Sequence, residues 1–189
     1  PAETIVAIAE SRRVTMIAMA THGYGGVRRW ALGSVTDKVI QAAPAPVFVV
    51  RSAAHEARQQ PLGLRRLLVP LDGSPLAMKA LPLATELAAA SGAHLILLRA
   101  LQTSAAIDQP APLLSDERPR LPGDAYLEAS AQVFAELQAL ADQLHERHGV
   151  VVACNVRPGP AAEAIIEEAE QRDVDMVVMA THGYGGLRR

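Results

Sequence analysis

The amino-acid sequence predicts an α/β fold: an open, mostly parallel five-stranded sheet with helices on both faces. Three observations carry the prediction. Short, uniformly apolar runs such as Leu67-Leu68-Val69-Pro70-Leu71 and Leu95-Ile96-Leu97-Leu98 alternate with stretches whose apolar residues recur at helical spacing. The runs themselves do not alternate apolar with polar residues, which is the pattern of parallel strands covered on both faces. The composition agrees, since 50 % of the residues are hydrophobic, mainly Ala, Val, Leu and Ile, and only 3 % are aromatic.

The elements follow in order from Leu67. The first apolar run ends in Asp72-Gly73-Ser74, a strand followed by a tight turn. Residues 75–91 then read as a helix with Leu76, Ala80, Leu83, Leu87 and Ala88 on one face; Gly92 ends it, and Pro82 is expected to bend it by removing a donor. Leu95-Ile96-Leu97-Leu98 is a second strand, and residues 102–123, rich in Pro and small side chains, read as a mobile loop. Residues 124–148 form a long amphipathic helix whose apolar stripe is Leu127, Val133, Leu137, Leu140 and Leu144. A strand over 150–156, a helix over 160–172 and a strand over 174–179 complete the series.

The chain also repeats itself. Residues 2–29 return as 162–189 in one register without a gap, and Ala20-Thr21-His22-Gly23-Tyr24-Gly25-Gly26 recurs letter for letter as residues 180–186. The first copy continues through Trp30-Ala31-Leu32-Gly33-Ser34 to a helix near 35–43 and a strand at Val47-Phe48-Val49-Val50. The second copy is preceded instead by the long βαβα stretch. Residues 1–51 therefore read as the C-terminal part of one domain, 52–64 as a polar linker, and 65–189 as the N-terminal part of a second. Together the two pieces add up to one five-stranded domain in permuted order, so residues 26–50 are expected to complete the sheet of 67–179, within or between chains. The start at Pro1 without a Met reads as processing or a fragment.

Charge and cysteine content narrow the functions. A formal net charge of −2, with Arg pairs scattered along the chain, offers no basic face for nucleic acid or an anionic membrane. No apolar stretch reaches the length of a spanning helix, and the N-terminus lacks a basic-then-apolar leader. The one cysteine, Cys154, lies in an apolar run and reads as a small buried hydrophobe suited to a reducing compartment, so a cytoplasmic location is expected. The histidines are scattered, and no metal-ligating cluster stands out.

The chemistry is concentrated in Ala20-Thr21-His22-Gly23, nine residues, then Gly33-Ser34. The glycines allow positive φ and can turn amide N–H groups toward an anion. Gly33-Ser34 opens a helix whose first N–H groups, those of Ser34, Val35 and Thr36, are unpaired at its positive end, and the Ser34 and Thr36 hydroxyls can add to them. Ser34-Val35-Thr36-Asp37 also has the form of a capping box, with Ser34 simply capping its helix, and Asp37 would repel phosphate somewhat. In open parallel sheets ligands lie beyond the carboxyl ends of the strands, where strand order reverses. Asp72 and Thr181 follow two such ends.

This constellation resembles the universal stress protein family, whose ATP-binding members carry G-x2-G-x9-G-[ST]; Val69-Pro70-Leu71-Asp72-Gly73-Ser74 resembles the family's opening strand and acidic turn. The resemblance covers nearly the whole chain outside the linker and the Pro-rich loop. It implies a Rossmann-like fold of the adenine nucleotide alpha hydrolase type. It also implies a site for ATP, or AMP or ADP, with Mg2+ or Mn2+ on the phosphates. By the same resemblance Asp72, with Pro70 before it, meets the ribose and the backbone near Ala100 meets adenine. Met19 or Met179 and His22 or His182 flank the nucleotide, and Ala20, Gly23, Ala180, Gly183, Gly33, Ser34, Val35 and Thr36 surround the phosphates. The family's first glycine is Ala20 here, and Ala180 in the second copy. The implied role is regulatory, a stress response with at most slow hydrolysis, since no general base stands out. The alternative is a module of the same fold that binds no nucleotide and pairs as a homodimer or intramolecular pseudo-dimer through Val47-Phe48-Val49-Val50. An ATP-pyrophosphatase would want a richer Ser/Gly loop than Asp72-Gly73-Ser74-Pro75.

Overall fold

The computed structural model describes residues 1–21, 33–51, 63–102 and 123–181. Most of the predicted linker, most of the Pro-rich loop, and both glycine runs lie outside the described residues. The chain divides into two compact units, and the second spans Gly63–Ala180.

In the first unit, helix α1 (Ala2–Arg12) leads to strand β1 (Ile17–Thr21), and helix α2 (Ser34–Ala42) to strand β2 (Val47–Arg51). The strands pair in parallel, with Ile17 opposite Val47 and Thr21 opposite Arg51, and the two helices pack on each other. Val39 of α2 is fully buried. Gly33 is the N-cap of α2, with φ 81° and ψ 139°, and no side chain caps this helix. Such a backbone is open to glycine and strained for other residues. It turns the chain into the helix one residue before a capping box would, so Ser34 is already helical and the capping-box reading is overturned. The Asp37 carboxylate is instead held by Gln41 Nε2 at 3.1 Å.

The second unit is a four-stranded sheet of β3 (Arg66–Pro70), β4 (His94–Leu101), β5 (Val152–Pro158) and β6 (Met176–Val177), in the order β5-β4-β3-β6. All pairs are parallel. Helix α3 (Ala80–Ser91) joins β3 to β4, α4 (Gly123–His148) lies between β4 and β5, and α5 (Ala161–Gln171) returns the chain across the sheet to β6. The α/β architecture with a parallel sheet is as expected; the strand count is not. Four strands form one sheet and two another, so β2 pairs with β1 and does not complete the sheet of β3 to β6 within the chain.

Both faces of β3 and β4 are covered. Leu67, Val69, Leu95 and Leu97 are fully buried against α3 and α4, with Leu137 and Ala141 above them. On the opposite face Leu68, Ile96 and Leu98 meet Ile165, Ala169 and Val174 of the α5 layer. Each such fully buried Leu or Val contributes about 1.5–3 kcal/mol, which is why the runs tolerate no polar alternation. Two expectations fail locally. Pro82 does not fall in the interior of the α-helix: a 3-10 turn (Ala77–Lys79) precedes α3 and places Pro82 in its first turn, where the missing N–H costs little. Leu127 is exposed, and the buried stripe of α4 starts further along, at Val133.

Candidate functional site

Strand order dictates where a cleft opens. The chain runs from β3 outward through β4 to β5, then crosses back to place β6 on the other side of β3, so the connections leave β3 in opposite directions above its carboxyl end. There a cavity of about 400 Å3 is walled by Pro70, Leu71 and Asp72 after β3 and by Leu98, Ala100, Leu101 and Gln102 from β4. Gly159 after β5, Ala161 and Ile165 of α5, and Met179 and Ala180 after β6 close it, with Ala77 beneath. Small residues make the room: a larger side chain at 100, 159 or 161 would occupy the space.

Asp72 sits exposed on the rim. Its Oδ1 accepts the Ser74 N–H at 2.8 Å, and Ser74 Oγ accepts the Ala77 N–H at 3.1 Å. Ser74 followed by Pro75 thus forms the cap of the helical run that α3 continues. Gly73 between them has φ +85°, and a Cβ there would stand 3.2 Å from the Arg99 guanidinium. Arg99, from β4, lies under the acidic turn and reaches toward Glu136 of α4 at 3.8 Å, while its buried Nε has no hydrogen-bond partner. The turn that carries Asp72 therefore rests on a cation. At the other edge, the Gly159 N–H donates to Leu101 O at 2.9 Å and fixes the β5–α5 corner against β4.

Five of the sequence-predicted residues come together on this one cavity: Pro70, Asp72, Ala100, Met179 and Ala180. Six others belong to the first unit. Met19 and Ala20 are in β1, while Gly33, Ser34, Val35 and Thr36 form the head of α2, where the first intrahelical bond runs from the Asp37 N–H to Gly33 O at 3.0 Å. Ser34 is exposed there, and Thr36 is buried. His22, Gly23, His182 and Gly183 lie outside the described residues. Sequence reasoning missed Arg99, Gly159 and the α5 wall. Gly159 directly after a strand was the available signal; Arg99 gave none, because its role depends on which strand neighbours β3.

Fold and cleft define a doubly wound α/β protein of the kind that takes ligands across the carboxyl ends of its strands. The model of the universal stress protein family matches residues 1–51 and 63–189, and the chain belongs to that family. Universal stress protein Rv2005c of Mycobacterium tuberculosis is 30 % identical over 198 aligned residues, covering 99 % of this chain and 58 % of that protein. Universal stress protein MJ0531 of Methanocaldococcus jannaschii is 43 % identical over 56 residues, 30 % of this chain and 33 % of that protein. The crystal structure of a universal stress protein from Archaeoglobus fulgidus superposes with a TM-score of 0.66 at 20 % identity, over 94 % of this chain and 54 % of that one, a likeness of fold. The chain spans little more than half the length of this mycobacterial relative.

Proposed function

We propose that this chain binds an adenine nucleotide, ATP in the first place, in a regulatory rather than an efficiently catalytic role. The single observation that carries the reading is the cavity at the reversal of strand order, apolar in its walls and with Asp72 at its rim. Leu71, Leu98, Ala100 and Ile165 suit the faces of a purine, and an exposed carboxylate beside them suits ribose hydroxyls. Among the described residues the cavity lining holds no Lys or Arg. The unpaired amides of Ser34, Val35 and Thr36 at the head of α2, within the first unit, have the chemistry to take a phosphate. Among the described residues no group of three or more His, Cys, Asp or Glu could hold a metal ion, so Mg2+ or Mn2+ is read as arriving on the phosphates. Residues 1–51 and 65–189 are read as parts of two domains joined by 52–64.

Calorimetric titration with Mg-ATP and with AMP tests this. The expected result is saturable binding that Asp72→Ala weakens at least tenfold for both ligands, about 1.4 kcal/mol. Ser34→Ala is expected to weaken Mg-ATP more than AMP. Equal affinities in native and Asp72→Ala protein would overturn the reading. A second reading, pairing of two copies through β2, draws on that strand's place in a two-stranded sheet and on exposed Val50; a monomeric protein by sedimentation would exclude it.

A further inference from the structure

The two repeats offer the four-stranded sheet two nearly identical claimants for the open edge of β3. The apolar residues with which α5 and its following turn cover Leu68, Ile96 and Leu98 are Ile165, Ala169 and Val174. At the corresponding places α1 and its turn carry Ile5, Ala9 and Val14, the same letters. In both repeats the chain passes through positive φ at one shared position shortly after the helix, Arg13 at φ 48° and Asp173 at φ 47°. Apolar packing and helix shape do not tell the repeats apart.

Polar contacts do. Arg157, near the end of β5, donates to Glu168 Oε2 at 2.7 Å and to Gln171 Oε1 at 2.9 Å through Nη1, and to Glu167 Oε2 at 3.1 Å through Nη2. Asn155 adds a bond to Glu168 Oε2 at 2.8 Å, and the glutamate is 1 % exposed. Arg172 Nε stands 2.7 Å from Oε1 as an ion pair, outside hydrogen-bond geometry. Before β6, Asp175 Oδ2 accepts the Arg65 and Arg66 N–H groups at 2.8 and 3.0 Å, and Asp173 lies 3.8 Å from the Arg66 guanidinium. The first repeat has Ala7, Ile8 and Ser11 for Glu167, Glu168 and Gln171, and Arg13 and Thr15 for Asp173 and Asp175. Each of those partners is changed, and Arg13 would bring like charge to Arg66.

We propose that these five positions form a selection key. It seats α5–β6 on the β3 edge and rejects α1–β1, whether from the same chain or from a second copy. A half-buried Arg157 facing Ile8 would keep none of its three acceptors on the helix, and the Arg65 and Arg66 amides would lose their carboxylate.

Hydrogen exchange of the full-length chain tests this, because the Val178 N–H donates to Leu68 O at 2.8 Å and Ala18 is its counterpart in the first repeat. Since the Ile17 N–H donates to Pro46 O, strand alternation points the Ala18 N–H to the edge away from β2. In the native chain Val178 should exchange slowly and Ala18 fast. Trading the five residues between the repeats in both directions should slow Ala18 and speed Val178 at least tenfold each; Val178 remaining protected would overturn the proposal. A second variant leaves the sheet unit intact and places only Ala7→Glu, Ile8→Glu, Ser11→Gln, Arg13→Asp and Thr15→Asp in α1–β1. It should slow Ala18 and speed Val178 at least threefold, and unchanged rates at both would equally overturn the proposal.

Discussion

Strand β1 ends in Met19-Ala20-Thr21, and the same letters, Met179-Ala180-Thr181, follow strand β6 in different surroundings. Met179 and Ala180 wall a cleft because β3 and β4 stand beside β6 and bring Asp72 and Ala100 with them. Met19 and Ala20 have β2 beside them, Met19 opposite Val49 and Ala20 opposite Val50. The contrast teaches that a strand end acquires chemistry from its neighbours in the sheet. A motif copied within one chain can line a ligand cavity in one place and a plain parallel pair in the other.

The largest effect that would break this comparison is at position 168 and its counterpart. Glu168→Ala removes a buried carboxylate and strands Arg157 and Asn155, which should cost about 3–5 kcal/mol in urea unfolding. Ile8→Ala, on an exposed side chain, should cost under about 1 kcal/mol. Equal losses would mean that the two repeats are stabilised alike.

Glycine substitutions sharpen it further. Gly33→Ala forces a side chain into φ 81°, ψ 139° and should cost about 1–3 kcal/mol although, among the described residues, nothing lies within 4 Å of the new Cβ. Gly73→Ala, at φ +85°, should cost a similar amount, since the Arg99 guanidinium 3.2 Å away is the far end of a flexible side chain and can swing aside. Rescue of Gly73→Ala by Arg99→Ala would show instead that crowding dominates.

The two serines differ more modestly. Ser74 caps a helical run through its hydroxyl, so Ser74→Ala should lower stability by about 1 kcal/mol. Ser34 makes no capping bond, and Ser34→Ala should stay within about 0.5 kcal/mol. Thermal unfolding of the two variants side by side decides this.

The smallest effect is one of pH. Burial, with the Asp142 carboxylate adding to it, pushes the Cys154 thiol above its ordinary value of 9.0. The folded state then holds this proton more tightly than the unfolded one. The thiol's contribution is full below pH 9 and is lost as pH rises through the folded value. Native stability should therefore fall more steeply above pH 9 than that of Cys154→Ala; parallel curves would contradict the assignment.

Much of the fold was legible from residues alone. The apolar runs of β3 and β4 announced strands covered on both faces, and the turn Asp72-Gly73-Ser74 and the helices of the second unit fell close to their expected places. What was not legible depended on contacts distant in sequence. Whether β2 would add to the second sheet could not be read from letters that the two repeats share. Ser34 looked like a cap because its neighbours fit the pattern, and the backbone of Gly33 decided otherwise. On the site, Asp72 and Ala100 were reachable from pattern and resemblance, whereas Arg99 under the acidic turn emerged only once β4 was placed beside β3.

The most direct measurement is the change in backbone amide shifts as Mg-ATP is added to the isotopically labelled chain. Residues 71–74, 100–102 and 179–180 should move together in one saturable process. Shifts confined to the head of α2, with the cavity residues still, would contradict a nucleoside lodged above β3.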